Sequence, residues 1–178
     1  MEIIYQDEVH FQITTSVTRT WAPIGKQPKI KSKPGKASVP YSGYVSPRTG
    51  RLVMTEVSWF TFETVIASIR DYIKKMNTSF KRHLLIMDNA PWHRKAERLI
   101  RELDEYKDIR DVLDIEFLPP YSPDLNPIER VWRITRREKT HNKYFGSKEI
   151  LKDTLDGFFA DFSVSNEKLS SLCQSKHK

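Results

Sequence analysis

No run of this sequence stays apolar long enough to cross a membrane, and its N-terminus lacks the apolar core of a secretory signal. Cysteine is nearly missing. Cys173 stands alone close to the C-terminal end, which excludes an internal disulfide and fits a reducing compartment. His10, His83, His93, His141 and Cys173 show no close metal-ligand spacing, so no structural zinc site is expected. Neither a glycine-rich phosphate loop nor a G-x-S-x-G elbow occurs. Internal repeats and low-complexity tracts are absent too. Acidic residues are the scarcer charge: 23 Asp and Glu face 30 Lys and Arg, a formal net charge of +7. That surplus points toward a polyanion, with DNA or RNA as the leading candidate.

What is present fits one soluble domain. The 178 residues, 38% hydrophobic and 30% charged, suffice for one proper core and are short for two. EIIYQDEVHFQI (2–13) reads as a strand with acids in it, and TRTWAPIG (18–25) as a short extended piece that turns at Pro23 and Gly25. KQPKIKSKPGK (26–36), with five lysines, two prolines and a glycine, reads as an exposed loop. ASVPYSGYVS and RLVMTEVS flank PRTG (47–50) as a hairpin. The period then changes. Phe62, Val65, Ile66, Ile69, Tyr72, Ile73 and Met76 recur at helical spacing. A strand at Leu84–Met87 follows, then a helix marked by Ala96, Leu99, Ile100, Leu103 and Tyr106. DIEFLPP (114–120) is a short strand, a helix begins near Pro127, and the last runs from Ile150 to Phe162. Three strands, helix, strand, helix, strand and helices make an α/β domain, a mixed sheet of five strands flanked by helices.

Three acids fall where strands or helices begin or end: Asp7, Asp88 and Glu129. Strand ends in an open α/β sheet converge on one rim, where ligands bind. Carboxylates meeting there repel one another unless a cation sits among them, and oxygen ligands suit Mg²⁺ or Mn²⁺. Blander readings stand beside this one. Asp88 before Asn, Ala and Pro is a good turn former. In NPIE, Asn126 suits a helix N-cap, Pro127 the first helical position and Glu129 the capping-box place. Asp7 and Glu8 alternate to opposite faces, so only one of them points into a site.

YQDEVHF (5–11), TRTWAPIGKQP (18–28), LLIMDNAPWHR (84–94) and LPPYSPDLNPIERVW (118–132) resemble the DDE transposases of the mariner superfamily, in particular its bacterial insertion-sequence branch. The resemblance runs from about residue 2 to about residue 145, and PYSPDLNPIE is its most specific string. It implies a ribonuclease-H-like fold and cut-and-paste DNA transposition with two divalent ions, Mg²⁺ or Mn²⁺, per site. Asp7, Asp88 and Glu129 then match the catalytic and metal-binding triad, and Glu8 does not belong to it. The implied partners are double-stranded DNA, as transposon ends and target, and a second subunit on that DNA. No membrane or small-molecule substrate is implied, and the expected location is a prokaryotic cytoplasm, at the nucleoid.

Two departures bear on this. The step from Asp88 to Glu129 is long, with the excess placed in RELDEYKDIRD (101–111), away from the rim. Family members carry helix-turn-helix readers before the catalytic domain, whereas Met1 lies almost on the first strand here. The expectation is therefore a catalytic domain over 1–162 and a tail over 163–178, without the sequence reader. His93, Asn89 and Trp92 are candidates to touch substrate or support the metal ligands, against surface or core roles. Arg130, Arg133, Arg136 and Arg137, on the helix that starts at Glu129, are candidates to grip the DNA backbone, against a solvated helical face. Lys26, Lys29, Lys31 and Lys33 are a second, weaker set. Such contacts position DNA without reading it. The alternatives are a catalytically inactive DNA-binding or assembly protein derived from a transposase, and a ribonuclease-H-like nuclease or resolvase.

Overall fold

The computed structural model describes residues 1–26, 28–32, 35–76 and 82–174. Its strands are β1 (Glu2–Gln12), β2 (Ser38–Val45), β3 (Leu52–Glu56), β4 (His83–Met87) and β5 (Leu113–Phe117). They form one sheet in the order β3-β2-β1-β4-β5. The β1–β2–β3 meander is antiparallel, and β4 and β5 run parallel to β1. This is the ribonuclease-H-like mixed sheet that the resemblance implies.

Helices cover both faces. On one side lie α1 (Phe62–Lys75) and α2 (Pro91–Glu102), packed through Val65, Ile66, Ile69, Ala96 and Ile100 onto Ile4, Leu85 and Met87 of the strands. On the other lie α4 (Ile128–Thr135) and α5 (Lys148–Ala160), whose Trp132, Leu151, Leu155 and Phe159 meet Val9, Phe11, Val39 and Tyr41. Odd and even residues of β1 serve the two cores alternately, as strand geometry requires. The α1 helix starts at a reciprocal cap, Thr61 with Thr64. The hairpin turn closes through Gly50, at φ 66°, where the Cβ of any other residue would collide with the Asn166 carbonyl.

The segment 101–111 forms a 3₁₀ turn (Asp104–Tyr106) and the single-turn α3 (Lys107–Arg110). Arg70 of α1 binds Asp108 there, so the extra residues pack beside α1 and leave the rim alone. Beyond residue 162 the expected tail is instead α6 (Glu167–Gln174), which buries Leu169 and Cys173 against the α4–α5 core. Cys173 is therefore a core residue, its thiol pushed up to about 11 by burial. Residues 18–25 form no strand. They belong to a long excursion between β1 and β2, turned at Gly25 and tied down where Thr18 and Asn142 bond to each other. No described helix is long and apolar enough to cross a membrane.

Candidate active site

Asp7 lies within β1, and Asp88 follows the last residue of β4. The register sets them side by side. Tyr5 pairs with Ile86, so two residues further along each strand Asp7 stands level with Asp88, on the same face. The α4 helix delivers Glu129 to this point. Asn126 fixes its start by donating from Nδ2 to the Gln6 carbonyl, at 3.3 Å, and accepting from the Ile128 amide at Oδ1, at 3.4 Å. The N-cap is Pro127, one residue beyond the Asn126 that the sequence suggests, and Asn126 holds the first turn and pins it to β1 beside Asp7. The capping-box bond expected of Glu129 is not made, because the Asn126 amide donates to the Pro123 carbonyl at 2.9 Å. The Glu129 carboxylate has no hydrogen bond to any described residue. Asp7, Asp88 and Glu129 line one cavity of about 260 Å³, walled by the loop from Leu118 to Asn126. At its mouth Tyr121 is wholly exposed, with its backbone in the left-handed region at φ 57°.

Burial pushes the Asp7 carboxyl up to about 7, and the charges of Glu129 and Glu8 push the same way. Against them, Trp132 Nε1 donates to Asp7 Oδ2 at 2.9 Å. Asp88 is held low, chiefly by a hydrogen bond from His93. Its Oδ1 accepts from His93 Nδ1 at 2.6 Å and from the Ala90 amide at 2.9 Å. Asp88 therefore does form the turn, since Oδ1 accepts from the Ala90 amide, and it also lines the cavity, with no described partner on Oδ2. Among the described residues, no three His, Cys, Asp or Glu side chains stand together closely enough to grip an ion. The donors still suit a hard divalent ion: three carboxylates on one cavity, one buried against its own charge and one unpartnered.

His93 is fully buried at the start of α2 and bridges two acids, with Nε2 bonded to Glu8 Oε1 at 2.7 Å. Burial alone lowers an imidazole, but the bonds to Asp88 and Glu8 outweigh it and push His93 up to about 9. It is thus no surface turn histidine. Trp92 turns its indole N–H to Glu8 Oε2 at 3.3 Å and packs on the α1–α2 core. Asn89 ties the end of β4 to the Leu118 carbonyl and accepts from Arg94. Alternation along β1 puts Glu8 on the face away from Asp7, and it lies there. Nothing in the sequence signals that His93 joins it to Asp88.

The proposed DNA-gripping residues divide. Arg130 donates to the carbonyls of Leu172 and Cys173, at 3.2 and 2.7 Å, and so fastens α4 to α6. Arg136 lies over the Phe11 ring, and Arg137 is exposed beside Glu138. Arg133 points to solvent, as do Lys26, Lys29 and Lys31, while Lys33 lies outside the described residues. On the other side of the site α2 exposes Arg94, Lys95 and Arg98, which belong to neither basic set that the sequence singles out.

The sequence profile of the DDE superfamily endonucleases matches residues 2–152. A curated relative, the uncharacterized protein y4pE/y4sA of Sinorhizobium fredii, is 36% identical over 62 residues, 35% of this chain and 39% of that protein. Among solved structures, a Mos1 transposase paired-end complex with the left transposon end shares the fold at a TM-score of 0.65 and 14% identity, over 95% of this chain and 50% of that one. A Mos1 mariner paired-end complex with Mn gives 0.63 and 18%, over 95% and 50%. The chain thus spans about half the length of these transposases and less of the curated relative. A profile match over most of the chain, on a ribonuclease-H-like sheet that brings Asp7, Asp88 and Glu129 to one cavity, leads to one assignment: this chain belongs to the DDE superfamily endonucleases.

Proposed function

We propose that the chain is the catalytic domain of a DNA transposase, a metal-dependent endonuclease and strand-transferase. In this reading water first attacks a phosphodiester at a transposon end, and the freed 3′-hydroxyl then attacks target DNA. The observation that carries it is the cavity shared by Asp7, Asp88 and Glu129, one acid from each of three elements. The family match and the likeness to the Mos1 complexes support it.

Asp7, Asp88 and Glu129 would hold two Mg²⁺ or Mn²⁺ ions, which when bound activate an attacking oxygen and stabilise a leaving one. The chain's own residues prepare that site. Trp132 fixes Asp7, the Ala90 amide and His93 fix Asp88, and Asn126 sets the helix that carries Glu129. The net positive charge, with exposed Arg133, Arg137, Lys26, Lys29 and Lys31, supplies sequence-independent attraction to duplex DNA. The partners in this reading are transposon ends, target DNA and a second subunit, at the nucleoid of a prokaryotic cytoplasm.

The test is strand cleavage on pre-nicked, end-mimicking duplex, with the chain fused to a DNA-binding domain and Mg²⁺ or Mn²⁺ supplied. Cleavage by the wild type and none by Asp7→Asn or Asp88→Asn is the expected result. Cleavage that is equal in all three proteins rejects the reading.

A further inference from the structure

His93 has no contact with solvent, and both its ring nitrogens end on carboxylates. Nδ1 lies 2.6 Å from Asp88 Oδ1 and Nε2 lies 2.7 Å from Glu8 Oε1. A ring held at both ends cannot turn, and it fixes the carboxylate it touches. Glu8 is itself clamped. Its side chain is 8% exposed, and it accepts from Trp92 Nε1 at 3.3 Å and from Gln6 Nε2 at 3.1 Å. Gln6 Nε2 donates onward to Ser42 Oγ at 3.0 Å, while Gln6 Oε1 is buried without a partner among the described residues. Leaving a buried acceptor unpartnered is costly. The amide keeps that orientation because the reverse would set its oxygen against the Glu8 carboxylate.

From this buried chain of contacts we infer that Glu8, acting through His93, orients the Asp88 carboxylate so that Oδ2 faces the cavity. Glu8 is thus a positioning residue of the site, although it lies on the opposite face of β1 from Asp7. The inference rests on the reading that Asp88 holds a divalent ion. Hydrogen-bonded supports behind metal ligands are worth roughly 10–100-fold in metal affinity. The side chains of this chain of contacts reach the three carboxylates by hydrogen bond at Asp88, so a positioning effect passes through Asp88, whereas the charge of Glu8, which also raises Asp7, is lost equally in Glu8→Leu and Glu8→Gln.

Mn²⁺ affinity, read from the free-ion electron paramagnetic resonance signal with no DNA present, tests this in a double-mutant cycle. Glu8→Leu should weaken Mn²⁺ binding about tenfold in the wild-type background and change it little in Asp88→Asn. Glu8→Gln, which can still accept from or donate to the imidazole, should restore most of the affinity. It also covers the case in which Glu8→Leu does not fold. Equal losses from Glu8→Leu in both backgrounds, or a Glu8→Gln protein that is folded yet as weak as Asp88→Asn, overturn the inference and leave the metal site standing. Failure of the wild type to bind Mn²⁺ at millimolar concentration overturns both.

Discussion

The indole N–H of Trp132 is bonded to Asp7 across the α4–sheet interface, Nε1 to Oδ2 at 2.9 Å. The contact is possible because β2 places Gly43 opposite Asp7. A Cβ at Gly43 would fall 2.4 Å from the Trp132 ring and 3.0 Å from Met54 Sδ. Gly43→Ala should therefore cost about 1–3 kcal/mol by overpacking and push the indole off Asp7. Trp132→Phe removes the one neutral side-chain donor that lowers the Asp7 carboxyl, which then rises above its present value near 7. Its Mn²⁺ affinity should drop more at pH 6.5 than at pH 8.5, because the ion must displace a more tightly held proton. Equal affinities for wild type and Trp132→Phe at pH 6.5 would show that the indole does not tune Asp7.

Asp7 also makes the metal-free protein weaker than it need be. Its carboxyl moves from an ordinary 3.8 up to about 7 on folding, mainly by burial, with Glu129 and Glu8 adding repulsion. The folded state then binds the proton more tightly than the unfolded chain. The Asp7 contribution to stability therefore falls as pH rises from about 4 to 7 and stays low above that. Asp7→Asn keeps an acceptor for Trp132 and carries no charge. At pH 8 without metal it should be more stable than wild type by about 1–4 kcal/mol, with no gain below pH 4. Millimolar Mg²⁺ should raise the melting temperature of the wild type alone. Urea melts at the two pH values check both halves, and a destabilised Asp7→Asn at pH 8 would sink the argument.

Glu129 separates structure from chemistry. Its helix has Pro127, which lacks an N–H, as N-cap, and the Asn126 amide is already bonded to the Pro123 carbonyl, so the Glu129 carboxylate does no capping. Glu129→Gln breaks no hydrogen bond and relieves repulsion on Asp7, so stability should stay the same or rise slightly, by less than about 1 kcal/mol. Strand cleavage should fall to background, because an amide oxygen brings no charge to balance a cation. Wild-type cleavage by Glu129→Gln would take Glu129 out of the site.

What the sequence discloses is what local pattern controls. Strong periodicity marks α1 and β4, and Asp88 and Glu129 sit at the ends of such elements, whereas Asp7, expected there too, lies in the middle of β1. Partners supplied from far along the chain are invisible to it. NPIE reads as a cap, yet nothing in it shows that Asn126 Nδ2 reaches the Gln6 carbonyl. Alternation sets Glu8 apart from Asp7, but only the placement of α2 brings His93 onto it. EKLSSLCQ, a two-turn helix with Leu169 and Cys173 as its buried residues, is too short to stand out from a polar tail until α4 gives it a surface.

The arginines of α4 show the same limit, and they can be sorted by experiment. Arg130 and Arg133 lie three residues apart on one helix and read alike in sequence. Arg130 turns inward and satisfies the Leu172 and Cys173 carbonyls near the end of α6, which would otherwise lose a charged donor. Arg133 is exposed on the helix that starts at the cavity of Asp7, Asp88 and Glu129. Arg130→Ala should cost roughly 1–3 kcal/mol of stability and leave the salt dependence of DNA binding unchanged. Arg133→Ala should leave stability unchanged and flatten the slope of log K against log salt by about 0.9 on duplex DNA, the change expected when one phosphate is no longer neutralised. The two measurements are independent, thermal melts for the fold and salt-titrated fluorescence anisotropy on random duplex for the grip. If Arg133→Ala keeps the wild-type slope, α4 does not hold the DNA backbone through that residue. The exposed Arg94, Lys95 and Arg98 of α2 then become the side of the cavity to test.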